Sequence, residues 1–363
     1  MQQAIRLVGL DVHAAQTAGA MLDPTSGEVV ARTIRGRPER DVLAWLEGLE
    51  RPWRAVYEAG PTGYGLARAA ADRGLDVVVC APGHIQRHPS ERVKTDRRDA
   101  IKLARLLGAG ELKHVRVPPL ELEQLRDAVR CREDCRGDLM RARHRISKFC
   151  LRRGLVFDGP GKAWTQRHRD WLRGLTFDDL ASQVTFVDYL HGHDSLLARR
   201  DALDRALAQL ADDGPWARQV GRLRCLRGID TLTAVGLVAE LGDPDRFAKP
   251  KQLSAFLGLV PSEQSSGTRR RQGPITKAGS KHARRLLVEA AWHYRRPPRV
   301  SAALARRQAG HDPEVIDLAW RCQRRLHDRW NHLDSQRGIK RTKVAVAVAR
   351  ELSAFCWELS RMR

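Results

Sequence analysis

The 363-residue chain has room for two or three domains, each with its own core. Its 65 basic and 43 acidic side chains leave a formal charge of +22, carried by 54 arginines and 11 lysines, which favours a polyanionic partner, nucleic acid first. No apolar run approaches the roughly 20 residues of a spanning helix, Met1-Gln2-Gln3 leads straight into strand-like sequence, and seven scattered cysteines read as reduced thiols. The expectation is a cytoplasmic protein with no membrane partner and no structural zinc.

From the N-terminus, Ile5 to Asp11, Thr17 to Leu22 and Glu28 to Ile34, with a turn in DPTSGE, predict a three-stranded antiparallel meander. A helix follows over Glu39 to Leu49, then a strand over Trp53 to Glu58. GPTGYG makes a tight connection to a helix over Leu66 to Asp72, and Asp76 to Cys80 forms a further strand. That order is the order of an RNase H-like domain, here residues 1–110. Asp11 and Glu58 each end an apolar strand, where a sheet opens onto a crevice. Asp96 and Asp99, in KTDRRDAIKLARLL, share one face if that segment is a helix. Four carboxylates brought together repel one another unless a cation lies between them. Oxygen ligands of this kind suit Mg²⁺ or Mn²⁺.

Beyond Pro119 the charged sequence to about Arg153, with Gly137 its single glycine, predicts one long helix. Its thin apolar stripe calls for a partner helix or a second subunit. FDGPGKAW ends it, and LLARRDALDRALAQLADD gives a second helical region up to Gly214-Pro215, so residues 111–215 read as a helical, coiled-coil-like middle section. The pair His191 and His193, in YLHGHDS, reads as linker. Residues 216–363 predict a mainly α C-terminal domain. It opens with LRGIDTLTAVGLVAELGD, a helix, a glycine-bearing turn and a second helix of the helix-hairpin-helix kind, whose backbone amides suit DNA phosphates. Two further helices are expected at Val315 to Leu333 and Thr342 to Leu359.

The segment SEQSSGTRRRQGPITKAGSKHARRLL places Ser265, Ser266 and Gly267 before Arg269, Arg270 and Arg271, with Lys277, Lys281, Arg284 and Arg285 close behind. A hydroxyl beside glycine in a cationic patch can approach a phosphodiester, and the cations would stabilise both an alkoxide and a charged transition state. A Ser-Gly turn that only hydrogen-bonds phosphate fits the same spacing.

Taken together, these motifs resemble the DEDD-type transposases of bacterial insertion sequences, relatives of the Piv and MooV DNA invertases. GLDVH matches that family's first acid at Asp11, YEAG its Glu at Glu58, and KTDRRDA its last pair at Asp96 and Asp99. The C-terminal pattern of Ser-Gly, then Gly-x-Ile-x-Lys-x-Gly and a basic helix, falls on Ser266-Gly267, Gly273 to Gly279 and His282 to Leu287. The serine directly before the glycine is Ser266, with Ser265 the fallback. The resemblance implies a RuvC-like N-terminal domain whose acidic quartet holds a divalent metal, and a C-terminal serine that forms a covalent 5′-phosphoserine link to DNA. It also implies guidance by a noncoding RNA and assembly as a dimer or tetramer.

Other readings fit parts of the sequence. A RuvC-like junction nuclease would keep the metal and use activated water in place of the serine. A sugar-kinase and actin-like phosphate hairpin is suggested by GLDVHAAQTAGAMLDPTSGEVV, but no later Asp-x-Gly hairpin or Gly-Gly adenosine loop accompanies it. A non-enzymatic DNA-binding protein would leave the carboxylates as ordinary strand-end charges. His13, two residues beyond Asp11, reads as packing or nucleic-acid contact. Trp292, His293 and Tyr294 read as core by default.

Overall fold

The structure, a computed structural model, describes residues 4–85, 95–266 and 269–362; the side chains of His84, Arg269 and Arg270 lie outside it. Contacts divide the chain into two compact units, Met1–Pro118 and Pro119–Arg363.

The first unit is α/β. Strands β1 (Arg6–Val12), β2 (Gln16–Leu22) and β3 (Val29–Arg35) form the expected antiparallel meander. A π turn over Pro38–Val42 leads into α1 (Leu43–Glu47), so the helix foreseen over Glu39 to Leu49 is shorter and wider at its start. Then come β4 (Trp53–Glu58), α2 (Gly65–Ala71), β5 (Val77–Cys80), α3 (Asp96–Gly108) and the short β6 (His114–Val115). The sheet order is β3-β2-β1-β4-β5-β6, with β1, β4 and β5 parallel and β6 antiparallel to β5.

Alternation along the strands divides this sheet between two helical layers. Val8 and Leu10 of β1 with Ala55 and Tyr57 of β4 pack in one cluster with Leu43, Leu46, Leu66 and Ala70 of α1 and α2. The opposite parity faces α3. Ala18 and Ala20 of β2 meet Ala100 there, and Val56 of β4 meets Leu103. Gly9 sets the approach: a β-carbon on it would overlap the Ala100 carbonyl oxygen and lie 2.6 Å from the Ala104 amide nitrogen, so α3 lies backbone to backbone on β1.

The second unit is mostly helical. Helix α4 (Leu120–Leu151) runs 32 residues and pairs antiparallel with α6 (Leu180–Asp213), with α5 (Gln166–Arg173) packed across their connection. The pairing direction follows from Arg132 on Asp204 and the Cys135 thiol on the Leu196 carbonyl. At the far end Ile146, Phe149, Leu172 and Phe186 form a separate aromatic core, with the Phe149 and Phe186 rings stacked at 5.5 Å. At the near end Leu125, Val129, Leu207 and Ala211 join the main core. That core is built with α7 (Ala217–Arg224), α8 (Thr231–Leu241), α9 (Pro250–Phe256) and α10 (Lys281–Ala291), and, after α11 (Ala302–Gln308), which bonds through Gln308 to the Cys225 carbonyl, with α12 (Pro313–Asn331) and α13 (Arg341–Arg361). The last two are the foreseen C-terminal pair, α12 beginning and ending two residues earlier than Val315 to Leu333 and α13 reaching beyond Thr342 to Leu359 at both ends. LRGIDTLTAVGLVAELGD holds one helix and not two: it opens on a turn with Gly228 at φ 82° and continues as α8, with Gly236 inside that helix, while the helix before the turn, α7, ends at Arg224 ahead of this stretch. Strands β7 (Pro261–Ser266) and β8 (Arg269–Ile275) form a two-stranded hairpin on this unit.

One expectation is corrected here. YLHGHDS is not a linker but the middle of α6, which starts from an Asp179 cap on the Ser182 amide and runs unbroken for 34 residues. Packing overrides local sequence at this point. His193 is 2% exposed, stacks on the Trp164 ring at 5.0 Å and bonds Asp194, which also pairs with Arg173. Gly192 carries no packing role, since a β-carbon there would meet open space. Gly192→Ala is therefore expected to raise stability by roughly 0.5–1 kcal/mol, the ordinary gain for glycine in a helix interior. Chemical denaturation would measure it, and the absence of any gain would contradict a continuous helix. Among the described residues no helix is long and apolar enough to cross a membrane.

Candidate nucleic-acid processing site

The acidic residues of the first unit gather where two strands end and a helix begins. β1 and β4 are parallel, paired as far as Leu10 with Tyr57, so Asp11 and Glu58 are the next residue on each strand. By parity both belong to the α3 face: Asp11 follows Gly9, and Glu58 follows Val56, at a spacing of two. α3 then brings its own acids to that face. Thr95 caps it by accepting the Arg98 amide, which fixes the start of the helix and puts Asp96 and Asp99 in the first turn. Carboxylates are favoured there by the positive end of the helix dipole.

Asp11, His13 and Asp96 each offer a ligand atom, and these atoms lie within 4.8 Å of one another. His13 Nε2 is 3.5 Å from Asp11 Oδ2 and 3.8 Å from Asp96 Oδ2. Burial raises the Asp11 carboxyl above its ordinary value; His13 opposes this, and the charges of Asp96 and Asp99 add to it. Glu58 lies outside the 4.8 Å group, on the neighbouring strand end, where burial and its charge push the Cys80 thiol up to about 11. At Asp11, burial and the neighbouring carboxylates thus outweigh the imidazole. The site's hard oxygen donors fit a divalent cation, with Asp11, Asp96 and His13 as the innermost candidate ligands and Asp99 and Glu58 around them. His13, read from sequence as packing or nucleic-acid contact, faces two of the acids. His13 follows β1 directly, its amide bonded to the Gln16 carbonyl, and its spacing of two from Asp11 was the available signal.

The serine segment is strand-paired as far as Ser266. Ser265 pairs with Arg270 and Ser266 with Arg269 across β7 and β8, so Ser266 is the last residue of its strand and is exposed. Gly267, the second half of the motif, lies outside the described residues, as do the side chains of Arg269 and Arg270. Arg271, Lys277 and Lys281 are exposed. Arg284 and Arg285 are engaged within the protein. Arg284 donates to the Leu257 and Ala278 carbonyls, and Arg285 pairs with Glu133 and Glu289. The motif's Gly279 has a steric reason: at φ 65°, a β-carbon would overlap the Phe256 carbonyl oxygen, which lets the chain turn tightly against the end of α9 into α10.

Beneath α10 lies a polar network that no spacing in the sequence announces. The His282 ring sits 3.8 Å from both Glu133 and Glu240. Burial by itself would raise the Glu240 carboxyl, but His282, Arg130, Ser280 and Arg126 together hold it down to about 2. A group this firmly ionised anchors α10 to α4 and α8 and is unsuited to proton transfer near neutral pH.

Comparison with known proteins defines the class. A family model described as a transposase matches residues 8–153, spanning the acidic face, and the model of the transposase IS116/IS110/IS902 family matches residues 220–305, spanning the serine hairpin. The chain is 42% identical over 305 residues to y4qE of Sinorhizobium fredii, a protein named as a transposase, covering 84% of this chain and 74% of that protein. It is 33% identical over 339 residues to the transposase for insertion sequence element IS1533 of Leptospira borgpetersenii, covering 91% and 97% respectively. A transposase is a DNA-processing enzyme, and DNA is its partner. Within that class the chain belongs to the IS116/IS110/IS902 family of insertion-sequence transposases.

Proposed function

We propose that this transposase cuts and rejoins the DNA of its own element through a 5′-phosphoserine intermediate at Ser266, assisted by Mg²⁺ or Mn²⁺ at Asp11, Glu58, Asp96 and Asp99. The observation that carries the reading is the convergence of acids from β1, β4 and α3 on one sheet face, in a chain whose second unit presents an exposed serine among arginines. A divalent cation in that cluster would supply charge stabilisation for the departing oxygen. The residues of the chain do the rest. Ser266 Oγ attacks phosphorus, losing its proton to solvent, the Oγ–P bond forms, and the P–O3′ bond breaks to leave a 3′ hydroxyl. Attack by a new 3′ hydroxyl reverses the step and frees the serine, so the phosphoester is conserved and no nucleotide cofactor is consumed. Arg269, Arg270, Arg271, Lys277 and Lys281 contact backbone phosphates beside the serine, while Arg284 and Arg285 hold the surface that carries them.

The domain reading that accompanies this is a RuvC-like, RNase H-like region over 1–110, a helical section over 111–215 and a serine-bearing region over 216–363. Serine and acids act together in one chain or between chains of a dimer or tetramer, guided by a noncoding RNA. Labelled DNA from the element's ends, incubated with its flanking RNA and Mg²⁺ and run on a denaturing gel, tests the proposal. Wild type is expected to give a covalent protein–DNA adduct that Ser266→Ala abolishes. Cutting without an adduct, undiminished in Ser266→Ala, would transfer the reading to a nuclease that activates water.

A further inference from the structure

The turn between α7 and α8 borders a cavity of about 310 Å³ that shares no residue with the serine hairpin. Arg227, Gly228 and Asp230 come from the turn; His293, Arg299 and Arg307 close the other side. The arginines of this cavity differ from those that carboxylates hold elsewhere in the same unit. Arg132 has Asp204, Arg285 has Glu133 and Arg341 has Asp334. By contrast Arg227 donates to the Arg296 and Pro297 carbonyls and Arg307 to the Ile229 carbonyl, contacts that fix the guanidinium groups without neutralising them. Arg307 Nε is buried with no acceptor among the described residues. Asp230, the one acid in the lining, caps α8 by accepting the Thr233 amide. His293 responds to the surplus: burial, then the charges of Arg227, Arg296 and Arg307, hold it below its ordinary value.

The backbone adds to this field. Gly228, at φ 82°, lies against α10, where a β-carbon would come within 2.7 Å of the Ala290 carbonyl oxygen. That close approach brings the turn flat over His293, and α8 begins at the rim with first-turn amides that have no intrahelical acceptor. Two guanidinium groups held by carbonyls, the exposed Arg299, a helix start and a polar cavity define a receptor for a compact, doubly coordinated oxyanion.

We infer that this cavity seats one backbone phosphate of duplex DNA, clamped by Arg299 and Arg307 beside the α7–α8 turn. It takes from the proposed function only that DNA is the substrate, and adds an anchoring point remote in sequence from the residues that react. A clamp of this kind fixes the register of the duplex and carries no base information.

Fluorescence anisotropy of a labelled duplex, titrated at several salt concentrations, tests it with Arg299→Gln and Arg307→Gln. Arg299 is exposed and its side chain makes no bond to the rest of the chain among the described residues, so that variant should melt like wild type. Each variant is expected to weaken duplex binding about tenfold near 100 mM salt and to lower the salt slope by about one ion. A single neutral methylphosphonate, moved along the strand, should cost wild type at one position and cost Arg299→Gln nothing there. Unchanged affinity and slope in Arg299→Gln would overturn the proposal. So would a loss confined to single-stranded RNA of equal length. A third overturning result is inorganic phosphate raising the melting temperature of wild type alone while duplex affinity stays equal, the mark of a small-anion site. Anisotropy reads equilibrium affinity and the adduct gel reads Ser266, so the two proposals can fail separately.

Discussion

Asp11→Asn is expected to make the metal-free protein more stable and the enzyme inactive. The sign follows from the raised Asp11 carboxyl. An acid whose folded value lies above its unfolded one, 3.8 here, binds its proton more tightly in the folded state. Its ionised form therefore opposes folding at neutral pH, and the opposition fades as pH falls through the raised value. Asparagine removes the charge, so in chelator its melting temperature should exceed that of wild type at pH 7 and the gap should close in acid. Adding Mn²⁺ should invert the order, stabilising wild type and leaving the variant unmoved. Catalysis should fall by about 10³-fold, because charge stabilisation worth several kcal/mol is lost at about 1.4 kcal/mol per decade. Differential scanning fluorimetry with and without Mn²⁺, beside a cleavage time course, reads all of these. A variant less stable than wild type in chelator would show that Asp11 is held by favourable contacts and that the acids are not in mutual repulsion.

Gly9→Ala should be the most damaging single methyl in the first unit. The added carbon meets backbone on both sides, the Ala100 carbonyl and the Ala104 amide, and neither can rotate away. Overpacking of this kind costs roughly 1–3 kcal/mol. The larger consequence is geometric. α3 must lift from β1, and its first turn carries Asp96 and Asp99 away from Asp11. A displacement near 1 Å can cost about a hundredfold in rate. Thermal melting and the cleavage rate, measured together, should show a protein that still folds and barely works. Wild-type rate with a lowered melting temperature would detach the helix position from the chemistry.

The contrast between what could be read ahead and what could not has physical causes. β1, β2, β3 and β4 were legible because each alternates or runs apolar between turn residues; β4 ends on Glu58 as read, whereas β1 continues one residue past Asp11 to Val12. α3 was readable only as a conditional helix over KTDRRDAIKLARLL, and the Thr95 cap that fixes its start comes from the structure. Gly9 was visible as a glycine inside a strand, but its partner Ala100 is fixed only by the fold. α6 was misread at YLHGHDS because glycine and polar residues there report local preference, whereas Trp164 and Arg173, from the α4–α6 connection, decide the outcome. The β7–β8 hairpin had no apolar alternation to announce it, since Glu263 to Ser266 are exposed. Arg284 and Arg285 looked like free cations in a basic run. Only the positions of Leu257, Ala278 and Glu133 reveal that they brace α10.

That hairpin bears on the serine doublet. Neighbouring residues of a strand project from opposite sides of it, so Ser265 and Ser266 occupy opposite faces of β7. No side-chain rotation lets one stand in for the other. Exchange would require β7 to slip against β8 by one residue, turning every side chain of the strand over and breaking the pairs Ser265 with Arg270 and Ser266 with Arg269. The two hydroxyls are chemically alike and sit on adjacent residues, yet the hairpin makes them as distinct as the two sides of a coin.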